Sequence, residues 1–231
     1  VPHAYVELHI EQGPVLDRAD LSIGVVESVQ GISWTELLIT GQSNHAGTTP
    51  MTLRRDPMAV AAAVAVAARD LALDLGGSQV ATVGSLTLHP NLVNVVPAHV
   101  TMTIDLRNTD EETLQFAESD LKKRTAQLAK AEGVEVTSRT LARFEPVEFD
   151  SRVVDQIEQL ATTRGLSTKR MPSGAGHDAQ MLARICPTGM IFVPSVDGVS
   201  HNPAEYTDEQ DLIIGTQLLA DSLLALTEVT W

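Results

Sequence analysis

Apolar and polar positions alternate from the start of the chain. Val6 and Leu8 alternate as in a strand, so residues 6–10 read as a short buried strand that ends at Gly13-Pro14. Residues 23–29 form a second strand, closed by Gly31. A different pattern follows. Residues 33–40 read as a strand, and Asp56-Pro57 opens a helix with Asp as N-cap and Pro at the first helical position. That helix reaches Leu75 and stops at Gly76-Gly77; its stretch 59–68 holds only alanine and valine, which suits tight packing. Residues 79–89 supply another strand. Over 99–107 the alternation is clean. Val100, Met102, Ile104 and Leu106 share one face, and Thr101, Thr103, Asp105 and Arg107 the other, the period of a half-buried antiparallel strand. Thr109 with Glu112 reads as a capping box for a helix that ends at Gly133, and residues 134–140 form the last strand of this block. The order is βαββαβ, the split form with helices on one face of an antiparallel sheet.

After Pro146 the style changes again. A helix over 151–164 places Val154, Ile157 and Ala161 on one side and ends at Gly165. Residues 167–171 read as a strand, Gly174-Ala175-Gly176-His177-Asp178 leads into a helix through Ala183, and 190–193 is an apolar strand. Thr207 with Gln210 caps the final helix, whose Leu212, Leu219, Leu223 and Leu226 are expected to face inward. This αβαβα tail suits a sheet covered by helices. The fold class is therefore an α/β layer, residues 1–31 and 146–231, interrupted by an inserted α+β unit over 32–145. The first piece is too small to fold alone and is expected to join the last. The chain opens on Val1-Pro2 with a strand close behind. It is accordingly expected to be a fragment or a processed product, with an upstream part of the layer missing.

Composition narrows the function classes. The net charge of −14 over 231 residues disfavours nucleic acid, whose phosphates need clustered Lys and Arg. No apolar run is long enough to cross a bilayer. The single cysteine, Cys186, lies in an apolar run and reads as a buried small hydrophobe. One thiol forms no internal disulfide, so nothing calls for an oxidising compartment and a cytoplasmic location is expected.

Candidate chemistry sits at element ends. His9 and His201 each lie near the edge of an apolar, strand-like run, where a lone imidazole is more often structural than a metal ligand. Glu205, four residues after His201, could orient it or be a solvated carboxylate. His45 lies in the polar loop Ser43-Asn44-His45-Ala46-Gly47-Thr48-Thr49-Pro50, either as a surface residue or as a donor to a developing oxyanion. Asn94 sits in the loop 91–97 as a turn residue or a substrate contact. Arg107 could clamp a carboxylate bidentately or form a cross-strand ion pair. Gly174 and Gly176 precede a helix start whose N–H groups could hold an anion. His177 and Asp178 are a possible imidazole–carboxylate pair. His3, His89 and His99 have no supporting context.

Taken in order, these motifs resemble one family. Leu8-His9-Ile10-Glu11-Gln12-Gly13-Pro14, Asn44-His45-Ala46-Gly47-Thr48-Thr49-Pro50-Met51, the loop 91–97, Asp105-Leu106-Arg107, the segment 173–178 and His201-Asn202-Pro203 are similar to those of the N-carbamoyl-L-amino-acid hydrolases. Allantoate amidohydrolases and β-ureidopropionases share the pattern, within the two-metal aminoacylase and carboxypeptidase superfamily. The resemblance implies a catalytic domain with an inserted lid or dimerisation domain, here residues 32–145, through which two copies pair. It implies that His9 and His201 bind different ions of a Zn, Mn, Co or Ni pair. It assigns Gln12, His45, Asn94, Arg107 and Gly176 to a small carboxylate-bearing ureido or amide substrate. Arg107 and Asn94 would hold the carboxylate. His45, the catalytic residue of the set, would polarise the scissile carbonyl, often from the neighbouring subunit. The family's other ligands (a His, a bridging Asp and a Glu) and its general-base Glu have no counterpart in the sequence. The isolated chain is therefore expected to bind metal weakly and to hydrolyse nothing. A non-catalytic association module and one half of a split enzyme are the alternative readings.

Overall fold

The structure is a computed structural model that describes residues 2–229. In chain order the elements begin with β1 (Tyr5–Ile10), α1 (Val15–Ala19) and β2 (Ile23–Val29). They continue with β3 (Gly31–Thr40), β4 (Asn44–His45), α2 (Pro57–Leu75), β5 (Val80–His89), β6 (Val95–Val96), β7 (His99–Asn108), α3 (Glu111–Glu132) and β8 (Glu135–Phe144). The chain closes with β9 (Val147–Glu148), α4 (Ser151–Thr163), β10 (Thr168–Ser173), α5 (Asp178–Leu182), β11 (Thr188–Val193) and α6 (Glu209–Thr227). These fall into two compact units, Gly31–Pro146 and the residues on either side of it.

In the flanking unit the strand order is β1-β11-β2-β10, with the short β9 beside β2. β1 runs parallel to β11, from Tyr5↔Thr188 to Ile10↔Val193, and β2 parallel to β10; β11 and β2 are antiparallel. All six residues of β11 are buried, as a central strand covered on both faces requires. Val25, Val26, Ile191, Phe192 and Leu16 form the core with Ile157 of α4 and Leu218 of α6. At Gly215, α6 approaches the sheet so closely that a Cβ would lie 2.5 Å from Val193 Cγ1 and 2.8 Å from Leu8 Cδ1. The buried stripe of α6 runs through this glycine: Gly215, Leu218, Ser222 and Leu226. Leu219 is partly buried against the core. Leu212 and Leu223, expected to face inward, are 43% and 47% exposed. The close contact at Gly215 sets the rotation of the helix, and leucines on both sides of it concealed that from the sequence.

In the inserted unit β5, β7, β3 and β8 form an antiparallel sheet in that order. Its main elements run βαββαβ, and β4 and β6 add a small ribbon. Val100, Met102, Ile104 and Leu106 of β7 are buried against Val60, Ala61, Val64, Ala68 and Leu71 of α2 and Leu114, Ala117 and Leu121 of α3. Small residues on α2 let it pack closely against α3. The N-cap of α3 is Asp110, not Thr109: the Asp110 carboxylate accepts the Thr113 N–H at 2.7 Å and the Thr113 hydroxyl at 2.6 Å. A carboxylate also complements the positive end of the helix better than a hydroxyl. Thr207 likewise caps nothing. Its hydroxyl donates to Pro194 O at 2.9 Å, and α6 starts after Asp208. No helix among the described residues is long and apolar enough to cross a membrane.

Candidate active site

The parallel pairing of β1 with β11 brings the C-terminal ends of both strands to one edge, where α/β sheets carry their sites. His9, in register with Phe192, lies one residue before that end. Its Nδ1 is 2.8 Å from the carbonyl oxygen of Ile10. A carbonyl only accepts, so Nδ1 carries the proton and the Nε2 lone pair is available to a cation. Beyond β1, Glu11 caps the start of α1, its two carboxylate oxygens accepting the Val15 and Leu16 N–H groups at 2.8 Å each. Gln12, with φ of 57°, turns the chain and ties it to the segment after β11. Its N–H donates to Ser195 Oγ at 3.0 Å and its side-chain amide to Ser200 Oγ at 3.1 Å.

That segment carries His201. The Ser200 hydroxyl donates to Glu205 at 2.7 Å, and the His201 N–H reaches the same carboxylate oxygen at 3.3 Å. The Ser200 donor lowers the Glu205 pKa below its ordinary value against a smaller opposing effect of burial, helped by the His201 N–H and by the charges of His201 and His9. The chain Gln12–Ser200–Glu205–His201 thus links the ends of β1 and β11, and His9 lies within electrostatic reach of it. Glu205 grips Ser200 and the backbone of His201.

Gly176 is exposed in the segment that leaves β10 and enters α5. His177 beside it has a side chain only 3% exposed. Its Nδ1 lies 3.4 Å from Glu7 Oε1, its Nε2 2.7 Å from Ser173 Oγ, and its ring meets that of His9 edge-on at 4.7 Å between centroids. Its partner is therefore Glu7, 170 residues away, and not the adjacent Asp178. Glu7 also accepts the Ala179 N–H at 2.8 Å and the Tyr5 hydroxyl at 3.3 Å. Burial pushes the Glu7 pKa up, but His177, Ala179 and Tyr5 together hold it below its usual value. No local motif announces this cluster. The only sequence signal was that Tyr5, Glu7 and His9 share the polar side of a strand.

The inserted unit holds the other candidates. His45 pairs with Val95 across the β4–β6 ribbon, and the Ala46 N–H donates to Asn94 O at 2.9 Å, so His45 and Asn94 share one exposed tip. His45 Nδ1 accepts the Gly47 N–H at 3.1 Å. Its proton therefore sits on Nε2, the opposite tautomer to His9. Arg54 braces the loop through Ala46 O at 2.6 Å and Thr49 O at 3.1 Å. Arg107 lies elsewhere. β4 follows β3 at the end where Thr40 faces His99, whereas Arg107 faces Ile32 at the other end. His99 and Arg107 are eight positions apart along β7, roughly 26 Å at the rise of a strand. Arg107 is held by Asp105, with Nη2–Oδ2 at 2.6 Å and Nε 3.0 Å from both carboxylate oxygens. One copy of the unit thus unites His45 with Asn94 and keeps both from Arg107.

Among the described residues no three or more His, Cys, Asp or Glu side chains gather as metal donors. His9 Nε2 takes no hydrogen bond among the described residues, and the His201 loop is tied to Gln12 just beyond it. The carboxylates that would bridge and neutralise two cations are not among these donors. By themselves the described residues do not complete a metal centre.

The comparisons supply the class. Residues 1–225 match the family described as Peptidase family M20/M25/M40, and the chain belongs to it. It is 40% identical over 225 residues to an N-carbamoyl-L-amino acid amidohydrolase of Geobacillus stearothermophilus, covering 97% of this chain and 55% of that protein. It is also 40% identical over 228 residues to an allantoate amidohydrolase of Escherichia coli, covering 99% and 55%. A solved amidase of the hydantoinase/carbamoylase family from Burkholderia multivorans superposes with a TM-score of 0.92 at 39% identity, covering 97% of this chain and 55% of that one. A Bacillus subtilis protein described as a dinuclear metal-binding peptidase of the M20 family shares the fold, with a TM-score of 0.66 at 18% identity over 98% of this chain and 58% of that one. The chain spans about half the length of the curated relatives it matches.

Proposed function

We propose that this chain is part of a metal-dependent amidohydrolase that cleaves a C–N bond of N-carbamoyl-L-amino acids or related ureido acids such as allantoate. The observation that carries the reading is the pair of fixed, opposite tautomers. His9 presents a lone pair, which suits a cation, and His45 presents an N–H, which suits a developing oxyanion. A divalent metal pair (Zn, Mn, Co or Ni), when bound, would supply an activated water. His9 and His201 would each hold one ion, with the remaining donors coming from outside the described residues. Gln12 and the backbone at Gly176 line the sheet edge for the ureido group. Arg107, aligned by Asp105, and Asn94 bind the substrate carboxylate, and His45 Nε2–H donates to the carbonyl oxygen as it becomes an oxyanion. The names of the relatives support the substrate class.

The site draws on two copies. Arg107 and the His45–Asn94 tip lie at opposite ends of β7, a span no small ureido acid bridges. A second copy supplies the tip. β8, which among the described residues pairs with β3 alone, offers an open edge to it. Beside that edge a groove of about 660 Å³, with Leu37, Leu121, Val134 and Val136 on its floor, lies between α3 and β8. The second copy covers it.

The test uses the purified 231-residue chain, alone and mixed with the part of the Geobacillus stearothermophilus relative that it does not cover. Alone, it is expected to retain little Zn²⁺ through equilibrium dialysis and to release no ammonia from N-carbamoyl amino acids or allantoate. The mixture is expected to turn over at least one of them, with metal required. Stoichiometric metal and turnover from the chain alone would defeat the expected inactivity. A folded, metal-loaded mixture inert toward every ureido acid would defeat the functional reading.

A further inference from the structure

The His177 cluster has no part in the chemistry above, yet its side chain is almost wholly enclosed and both ring nitrogens are engaged. An ionised Glu7 only accepts, so His177 Nδ1, 3.4 Å away, is the donor toward it; Nε2 lies 2.7 Å from Ser173 Oγ, whose one proton is shared between Nε2 and the Ala175 carbonyl oxygen at 3.1 Å. Ser173 Oγ also accepts the Ala175 N–H at 3.1 Å, and Glu7 the Ala179 N–H at 2.8 Å, so the two ends of the segment around Gly176 are pinned to the same cluster. The ring of His177 stands between Phe192, 5.8 Å away, and the edge contact with His9 at 4.7 Å. One imidazole therefore touches the metal-facing residue and anchors the substrate-facing segment.

We propose that Glu7, His177 and Ser173 form a positioning chain that holds the His9 imidazole edge-on and fixes segment 173–178 across the polar face of β1. The inference rests on the reading of His9 as a metal ligand and Gly176 as a substrate contact. His177 is a positioning residue: it acts through His9 and the segment, and its removal loosens both. Partners that orient a ligating histidine usually matter by about 10–100-fold in metal affinity when lost.

The test is made on the full chain with two readouts. Long-range ¹H–¹⁵N spectra of the imidazoles report the His9 tautomer in the chain without any metal, and titration with Zn²⁺ of the chain mixed with the complementary part of the Geobacillus stearothermophilus relative reports affinity. In the unaltered protein His9 is expected as a single, narrow Nδ1–H species. His177→Phe keeps a ring in the space and removes both polar links. It is expected to broaden or average the His9 signals and to weaken Zn²⁺ binding about 10–100-fold. His177→Asn, which keeps a donor near the Nδ1 position, is expected to restore part of both. A loss of stability alone would leave the His9 tautomer untouched. If His177→Phe does not fold by circular dichroism, Ser173→Ala, which removes one hydroxyl, is read in its place with the same expected direction. Wild-type His9 signals and Zn²⁺ affinity in a folded variant would overturn the proposal. His9→Ala separates the two ideas. If it leaves Zn²⁺ binding unchanged the ligand reading fails, while the imidazole spectra still decide the positioning role.

Discussion

Single residues set what the candidate site can do. His45 is exposed; its ring accepts one loop N–H, from Gly47, while the Arg54 side chain braces the loop through two carbonyls. His45→Ala should therefore leave stability within about 0.5 kcal/mol, as for other surface changes. If His45 is the oxyanion donor proposed above, turnover in the complete enzyme is expected to fall about 10²–10³-fold. Chemical denaturation and an ammonia-release assay read the two effects separately, and undiminished turnover would remove His45 from the mechanism. Gly215 shows the opposite balance. Alanine is favoured over glycine in a helix by roughly 1 kcal/mol. Here a Cβ would press on the branched Val193 side chain at 2.5 Å, and overpacking of this kind costs about 1–3 kcal/mol. Leu8 Cδ1, at 2.8 Å, can swing aside, whereas Val193 sits fully buried in the central strand. The second effect wins, and Gly215→Ala is expected to lower the urea midpoint. A rise would show that α6 shifts freely on the sheet.

At the level of elements, helix starts divide the legible from the hidden. The Asp56-Pro57 start of α2 was plain in sequence because Pro at the first position leaves one choice of cap, and Asp56 accepts the Met58 N–H at 2.9 Å. The start of α3 was misplaced by one residue because Thr109 and Asp110 both qualify and only geometry decides. The strand periods of β3 and β7 were legible since one face of each is buried. The stripe of α6 was not, as leucine and isoleucine occur all round it. α4 gives the clearest pH test. Asp150 caps it by accepting the Arg152 N–H at 2.9 Å, and the Arg152 guanidinium lies on the same carboxylate at 2.6 Å. Those side-chain donors lower the Asp150 pKa against burial, with the Arg152 and Val153 N–H groups adding to the effect. A lowered folded pKa means that the stabilisation is fully present above the ordinary carboxylate range, near pH 4, and is lost as pH falls through the lower folded value. Asp150→Ala should cost about 1 kcal/mol at neutral pH. The gap to the unaltered protein should close on acidification. A gap that stays constant down to strongly acid conditions would show that the charged carboxylate is not the source.

At the level of the whole molecule, the sequence motifs pointed to one set of substrate contacts, and the fold distributes them. Gln12 and the His201 loop are joined by hydrogen bonds within the flanking unit, with His9 three residues before Gln12 on β1, and the residues for that grouping could be chosen from sequence because each lies at the end of a strand. The cluster of His177 with Glu7 could not, since it depends on which strand the segment after β10 crosses. Nor could the separation of Arg107 from His45 and Asn94, which follows from the antiparallel register of β3 with β7. If two copies share each site, that separation makes a specific demand. A closed two-fold pair has two equivalent sites, each taking Arg107 from one copy and His45 from the other. Arg107→Ala and His45→Ala proteins, each assembled into the complete enzyme, are both expected to keep no more than about one hundredth of the unaltered activity. When they are mixed and allowed to exchange subunits, one site of every mixed dimer regains both side chains and its twin loses both. Random exchange makes half of the dimers mixed, so activity should return to about one quarter of the unaltered level. Sedimentation would confirm that exchange took place. No recovery after proven exchange would place His45 and Arg107 in the same copy's site, and the β4–β6 tip would then have to fold back along β7 to reach it.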